Sequence, residues 1–426
     1  MNGDDTAGRD FVFGVDYTRD DNALVTEDGV LEPVVEDLLD FVTMAYLTDR
    51  SQHRGQPLTD EWRRSLPVTF CPRLPQLWQS RSINDALIEL MSWLTEDDWT
   101  INIASGPATS SARQMALPLD RVDREVALFS GGLDATAGTA LLLASGQPVL
   151  GVAVQTNRAM RGYQASVARS LRASGVGDLR TTSVYLARRN APAREEASRR
   201  TRGLVFLACG WAAAQAAGQQ RFLVFENGVG AINLPYTRAQ GGCMTSRAVH
   251  PKTLRLASRL FSTIGNQDFT IVNPHLHETK GEMCARLPVS ARAAVGSSQS
   301  CDNSAAGRSA LDRRCGRCAS CLLRRLSLHA AGRLSWDPAP YLADGAGDGE
   351  LSRVPEMLWQ AARLDRALDG RDTIDLSLEF PELAEVDIED LSVESVRRLY
   401  RTYVEQWRRY PHPRVRAFLP VGQMAA

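Results

Sequence analysis

The chain has 426 residues, enough for two or three domains, and with 44% hydrophobic residues it can fill a real core. A formal net charge of −1 argues against an overall nucleic-acid footprint. No apolar run approaches the roughly 20 residues of a membrane span, and the acidic, polar start MNGDDTAGRD is no signal peptide, so a cytoplasmic protein without membrane association is expected.

Three blocks follow one another. In residues 1–104 the hydrophobic pattern predicts a strand over Arg9–Val15, a helix over Val34–Leu47, a strand over Leu66–Phe70, a helix over Ile83–Leu94 and a strand over Trp99–Ala104. That is a small accessory α+β domain. Residues 105–122 carry Ser-Gly-Pro, Ser-Ser and further prolines and read as a linker. In residues 123–332 short apolar strands (Val126–Phe129, Val149–Gln155, Leu179–Tyr185, Phe222–Glu226, Phe269–Asn273) alternate with helices (Ala135–Leu143, Tyr163–Ala173, Glu195–Ala217, Pro251–Gly265). Such alternation implies an α/β fold with a doubly wound parallel sheet covered on both faces, and ligands then bind at the carboxyl ends of the strands. Residues 333–426 form a helical C-terminal block, with helices over Val354–Leu368 and Val393–Tyr410. The second carries Val396, Leu399, Tyr400, Tyr403, Val404 and Trp407 on one stripe, as a packing face would.

The stretch SGGLDAT, Ser130 to Thr136, stands where the first buried strand of the middle block turns into a helix. Two glycines let the backbone approach an anion, and the helix start offers unpaired N–H groups at the positive end of the macrodipole. Phe129, Ser130, Gly131, Gly132 and Leu133 therefore form a candidate phosphate loop, with Asp134 and Thr136 in the first helical turn. Asp134 reads either as a carboxylate that favours the helix start or as a Mg²⁺ ligand beside a triphosphate. The loop is neither a Walker motif nor a G-x-G-x-x-G turn. Downstream, Cys301, Cys315, Cys318 and Cys321 crowd together, with two overlapping C-x-x-C steps. In a reducing compartment that crowd points to metal. Four thiolates make a closed, structural Zn²⁺ site; an iron–sulfur cluster or a reactive cysteine are the competing readings. Cys243 in GGCM reads as a buried or incidental thiol, with a reactive cysteine the competing reading. Glu226-Asn227-Gly228 lies at a strand end, with Asn233 and His250 in the same region; His250 is an acid–base candidate or, before Pro251, a structural residue. Arg158 and Arg161 are candidate phosphate or carboxylate contacts or plain surface charges.

SGGLDAT between strand and helix resembles the pyrophosphate loop (PP-loop) of the N-type ATP pyrophosphatases, whose usual pattern is SGGxDS followed by Ser or Thr; here Ala135 replaces the last motif serine and Thr136 is kept. The resemblance implies an adenine nucleotide alpha hydrolase-like fold, binding of ATP with Mg²⁺, and cleavage to AMP and pyrophosphate as a carbonyl oxygen is adenylated. Together with the four cysteines, residues 123–332 resemble the QueC-like family of 7-cyano-7-deazaguanine synthases. That likeness implies nucleotide contacts from Phe129 to Asp134 and Thr136, and Glu226 to Gly228, at their strand end, are read as candidate contacts to a base or a backbone edge. Lys280, in the HETKGEM segment, would be a cation near phosphates, and Arg202 lies near the position of a family arginine; a solvated surface lysine is the plainer reading of Lys280. The segment QTNRAMRGYQ lacks the family's Tyr-Gly-Gln. Its Tyr-Pro-Asp-Cys-Arg stretch is replaced by Asn233-Leu234-Pro235-Tyr236 and Thr245 to Pro251. The first cysteine spacing is longer, and two flanking blocks are added. In these respects the chain is similar to the extended QueC-like proteins of bacterial anti-phage systems, in the Qat or the type IV CBASS setting. The likeness implies adenylation of 7-carboxy-7-deazaguanine and transfer of the acyl group to an amine on a protein substrate from the same defence operon. A protein α-amine with a pKa near about 8 is a competent nucleophile once positioned. A nitrile synthase that uses ammonia is one rival, and a degenerate nucleotide-binding module, supported by Ala135, is the other. A tRNA-thiolating relative is disfavoured by the absence of a clear basic face.

Overall fold

The computed structural model describes residues 16–21, 24, 31–55, 59, 62–104, 123–189, 196–198, 200–237, 246–302, 314–338, 341–342, 353–369, 373–387 and 389–419. The strand expected at Arg9–Val15, the linker 105–122 and Cys243 lie outside these residues.

A mixed α/β architecture is built around one mostly parallel sheet. Its strands are β1 (Tyr17–Asp20), β4 (Glu125–Leu128), β5 (Val149–Gln155), β6 (Leu179–Arg188), β7 (Arg221–Leu223) and β8 (Thr270–Val272), in the order β1-β6-β5-β4-β7-β8. Five strands run parallel, and β1 closes one edge antiparallel to β6. A second, two-stranded parallel sheet pairs β2 (Ser65–Phe70) with β3 (Asp98–Ile103).

Strand β5 is buried along its whole length, as a central parallel strand with both faces covered must be. Alternate residues serve opposite cores. Leu150, Val152 and Val154 pack on the face shared with the helices Pro33–Ser51, Arg202–Ala216 and Pro251–Gly265. Val149 belongs to the other face, with the helices Leu133–Ala144 and Arg158–Ala173. Leu38, Phe41, Trp78, Leu87 and Trp99 of the first block share the core of the first face. The first block therefore contributes an edge strand and a packing layer to the central sheet.

Most expected elements fall within two or three residues of their observed limits, but the helix expected over Tyr163–Ala173 starts at Arg158 and that expected over Val34–Leu47 runs on to Ser51. Two more differ for physical reasons. The helix expected over Glu195–Ala217 starts at Arg202. Ahead of it, Glu196 accepts the Arg54 amide at 2.8 Å and the Ser198 amide at 2.9 Å, which ties that stretch to the first block in a non-helical form. The strand expected over Phe222–Glu226 ends at Leu223, because the chain turns into the short helix Gly228–Ile232, capped by Asn227.

In the C-terminal block the helices Val354–Asp369 and Val393–Arg409 enclose a separate core. Val396, Leu399, Tyr400, Tyr403, Val404 and Trp407 are its buried stripe, the face expected from the sequence. That core also takes in Ile232, Leu234, Leu322 and Leu326 of the middle block. Among the described residues no helix is long and apolar enough to cross a membrane.

Candidate functional site

Strand β4 lies between β5 and β7, so the chain leaves it on one side and returns to it on the other. In an open α/β sheet this reversal opens a crevice at the carboxyl ends of the strands. The Ser130-Gly131-Gly132 loop follows β4 directly, and the helix Leu133–Ala144 begins on its last residue. Gly131 has φ +78°, a left-handed conformation suited to glycine. A Cβ there would also press on the Gln164 backbone, 3.2 Å from its nitrogen.

The loop is braced from two directions. Ser130 Oγ accepts the Gly132 amide at 3.2 Å, and Thr136 Oγ1 donates to the Gly132 carbonyl at 2.7 Å. Thr136 is fully buried and its hydroxyl is engaged inside the loop. From the segment before Cys301, Ser300 Oγ accepts the Leu133 amide at 3.2 Å and the Gln299 amide donates to the Gly131 carbonyl at 2.9 Å. Two serine oxygens thus sit on backbone donors at a helix start, the donors an anion would take. Phe129 and Leu133 are core residues through their side chains.

Asp134 is the junction of the site. Its Oδ2 meets Lys280 Nζ at 2.7 Å, and both side chains are 11% exposed. Its Oδ1 accepts from Asn227 Nδ2 at 3.0 Å, while the same amide reaches Glu226 Oε1 at 2.7 Å. The Asn227 side-chain Oδ1 accepts from the Gly230 amide at 3.0 Å and caps the next helix. Three separate loops therefore converge: the one after β4, the one after β7 and the turn into the helix Lys280–Ala285. Withdrawal from water and then the Asp134 charge push the Glu226 carboxyl up to about 8. Burial works against the Lys280 ammonium, but Asp134 and Glu226 outweigh it and its pKa is raised. A buried ammonium paired with Asp134 beside a protonated Glu226 suits charge compensation at a phosphate, and the Asp134 carboxylate is of the hard-oxygen kind that Mg²⁺ takes.

Arg202 opens its helix with its guanidinium over the Phe206 ring, 5.7 Å from the centroid. Arg161 lines a cleft of about 640 Å³ beside the loop, together with Phe129, Gln155, Gln164, Arg169 and Thr181. Gln164 is buried there; its Nε2 donates to the Val154 carbonyl at 3.2 Å, and its Oε1 has no partner among the described residues. Asn233 Nδ2 donates to the Ser246 carbonyl at 3.0 Å. His250 caps the helix Pro251–Gly265, its Nδ1 accepting the Lys252 amide at 3.2 Å. Burial and the Arg247 charge lower its pKa to about 4, so it is a neutral, structural cap at ordinary pH.

Cys301, Cys315, Cys318 and Cys321 are all buried, and their sulfurs lie within 4.8 Å of one another. The Cys315 and Cys321 sulfurs are 3.9 Å apart, close to the edge of about 3.8 Å that a tetrahedral four-thiolate zinc with Zn–S of about 2.3 Å requires. Amides at Cys315, Cys318 and Cys321 donate to the sulfurs of Cys301, Cys315 and Cys318 at 3.3 to 3.4 Å, which favours thiolates. The donor set fits a closed metal site with no position left for a substrate. Beside it the fully buried Arg324 donates to the Val295 carbonyl at 2.6 Å and to Ser298 Oγ at 2.8 Å, and pairs with Asp337 at 3.1 Å. Arg314 holds the Ser298 carbonyl at 2.7 Å and Asp337 at 2.8 Å. The cysteine cluster is in this way anchored to the segment that carries Gln299 and Ser300.

Sequence reasoning missed Gln299, Ser300 and Gln164, whose types carry no signal of their own. Ser300's position next to Cys301 was the one available hint. No protein-family model matches the chain, and no curated protein matches it in sequence.

Proposed function

We propose that this chain is an ATP-dependent, AMP-forming carbon–nitrogen ligase with a PP-loop fold and a structural zinc. It adenylates 7-carboxy-7-deazaguanine, or a close relative, with release of pyrophosphate, and passes the acyl group to an amine on a partner protein in anti-phage defence. The observation that carries the reading is the convergence of Asp134, Lys280 and the Glu226–Asn227 pair on the glycine loop at the sheet's switch point. In this reading the backbone of Phe129 to Leu133 and the Ser130 hydroxyl hold phosphate oxygens, replacing the Ser130 and Ser300 oxygens that now occupy two of those amides. Asp134 would offer oxygens to Mg²⁺, with Glu226 able to join it on loss of its proton. Lys280 compensates charge as pyrophosphate departs. The cleft lined by Phe129, Gln155 and Gln164 gives room for a flat heterocycle. The deazaguanine substrate, the protein acceptor and the defence setting rest on the resemblance of SGGLDAT and the four cysteines to the QueC-like family.

The test incubates purified chain with MgATP and 7-carboxy-7-deazaguanine, and follows AMP and pyrophosphate. Intact-mass measurement of co-expressed neighbouring proteins runs in parallel, for wild type and Asp134→Ala. A mass gain on a neighbour that is absent with Asp134→Ala supports the proposal. Nitrile formation with ammonia and no modified partner would replace it with a synthase. Binding of ATP without any pyrophosphate would replace it with a nucleotide-binding module.

A further inference from the structure

The two loops that carry Asn227 and Lys280 are held from outside the middle block. Thr279 caps the helix Lys280–Ala285 in a reciprocal box with Glu282: the Glu282 amide donates to Thr279 Oγ1 at 3.2 Å, and the Thr279 amide donates to Glu282 Oε2 at 2.8 Å. Both partners of that box are gripped by the helix Val393–Arg409. Gln406 Nε2 donates to Thr279 Oγ1 at 2.8 Å. Arg398 donates to Glu282 Oε1 at 2.5 Å and to the His277 carbonyl. The fit is close. A Cβ on Gly281 would stand 2.7 Å from Gln406 Nε2, and one on Gly228 would stand 2.7 Å from Leu399 Cδ2 and overlap the Leu276 carbonyl. The Gly228 amide in turn donates to the Glu278 carbonyl at 2.8 Å, so the two loops are stitched to each other as well as to the helix. Lys280 is the residue directly after the clamped Thr279.

We propose that the C-terminal helix Val393–Arg409 is a positioning element of the site, in which Gln406 and Arg398 hold the Thr279–Glu282 box and thereby keep Lys280 on Asp134. On this view residues 123–332 do not contain a complete site. Gln406 and Arg398 are positioning residues, because they act through the turn and touch none of Asp134, Glu226 or Asn227. The contribution to turnover rests on the ATP reading above; the restraint on Lys280 does not.

The chain offers an unusually clean probe, since Lys252 and Lys280 are its only lysines. Lys280 is buried on Asp134, whereas Lys252 is more open, with 26% of its side chain exposed. The full-length protein is treated briefly with an acetylating ester, and the ratio of Lys280 to Lys252 acetylation is read by peptide mass spectrometry. Pyrophosphate release is measured on untreated aliquots of the same preparations. The variants are Gln406→Ala, Arg398→Ala and the double substitution. Arg401→Ala is the control, since Arg401 lies on the same helix but reaches the Leu368 carbonyl instead. Arg398 is exposed and Gln406 half-buried on their helix, and unchanged melting curves check that the variants fold. The double variant is expected to raise the acetylation ratio at least tenfold and to lower kcat for pyrophosphate release at least tenfold; Arg401→Ala leaves both at wild-type values. An unchanged ratio in the double variant overturns the clamp. A raised ratio with wild-type turnover overturns the positioning role. If the ratio rises but the wild-type protein itself releases no pyrophosphate, the clamp on Lys280 stands and the ATP reading falls.

Discussion

Glu226 gives the site a pH dependence that can be worked through. Its carboxyl is pushed from 4.5 up to about 8 by burial and by the neighbouring Asp134 charge. Between about pH 4.5 and about pH 8 the folded protein therefore holds a proton that the unfolded chain has released. Stability contributed by this group is fully present below the unfolded pKa and is lost as pH rises through that window. Each unit corresponds to about 1.4 kcal/mol, so by neutral pH the loss amounts to about 3 kcal/mol. Glu226→Gln places a permanently neutral side chain there and keeps an oxygen for the Asn227 amide, now 2.7 Å from Glu226 Oε1. Urea unfolding of wild type and variant at pH 5.0, 6.5 and 8.0 is the assay. The two proteins should nearly match at pH 5.0, and the variant should gain on wild type at each step upward, by about 4 kcal/mol at pH 8.0. Comparing the pair cancels every other titrating group. A constant difference across the three pH values, or a variant that is weaker throughout, would show that the Glu226 carboxyl is ionised in the folded protein.

His250 should show the opposite slope. Its pKa is lowered from 6.5 to about 4 by burial and by Arg247, so the stability it contributes is present above about pH 6.5 and is lost as pH falls towards 4. His250→Ala should flatten that part of the stability profile and cost about 1 kcal/mol at pH 7.5 through the lost helix cap. Gly228→Ala forces a methyl group against the Leu276 carbonyl and Leu399; a loss of about 2 kcal/mol or more is expected on thermal unfolding. Wild-type stability in that variant would show that the two loops and the C-terminal helix are not closely packed. Metal analysis should find one zinc per chain, removed by a thiol-modifying reagent. Its removal should speed amide exchange at residues 299–301 and also at 131–133, because Gln299 and Ser300 bind the glycine loop. Faster exchange confined to the cysteine segment would refute that link.

Much of this molecule was legible from residue pattern alone, and what escaped has a consistent cause. The five parallel strands and their helices were readable because buried strands and amphipathic helices carry periodic apolar residues. The stripe from Val396 to Trp407 is the clearest case. Strand β1, YTRD, escaped because three of its four residues are polar, and an edge strand needs no alternating apolar pattern. Its Arg19 is buried by pairing with Asp21 at 2.7 Å and Asp40 at 2.8 Å, a network no local window displays. The helix ahead of Gly203 was read too long for the same reason: Glu196 has good helix propensity, but its carboxylate is committed to the Arg54 amide 142 positions away.

The site divides along the same line. Groups whose chemistry depends on close sequence spacing, the glycine loop and the paired C-x-x-C steps, were visible because one turn of chain builds them. Groups that work through long-range juxtaposition were not. Lys280 was placed near phosphates only through resemblance, and a solvated surface lysine was the plainer reading of its residues; its role depends on Asp134, 146 positions earlier, and on Gln406, 127 positions from Thr279. A lysine whose ammonium lies 2.7 Å from a buried carboxylate is a restrained charge, whereas the same residue in isolation is a solvated one. Sequence spacing therefore identifies which groups can do the chemistry, while the helix that fixes their geometry is recognisable only once the tertiary contacts are known. In this chain the C-terminal helix grips the turn that holds Lys280 against Asp134, so the geometry of the candidate site depends on that block as well as on the loop.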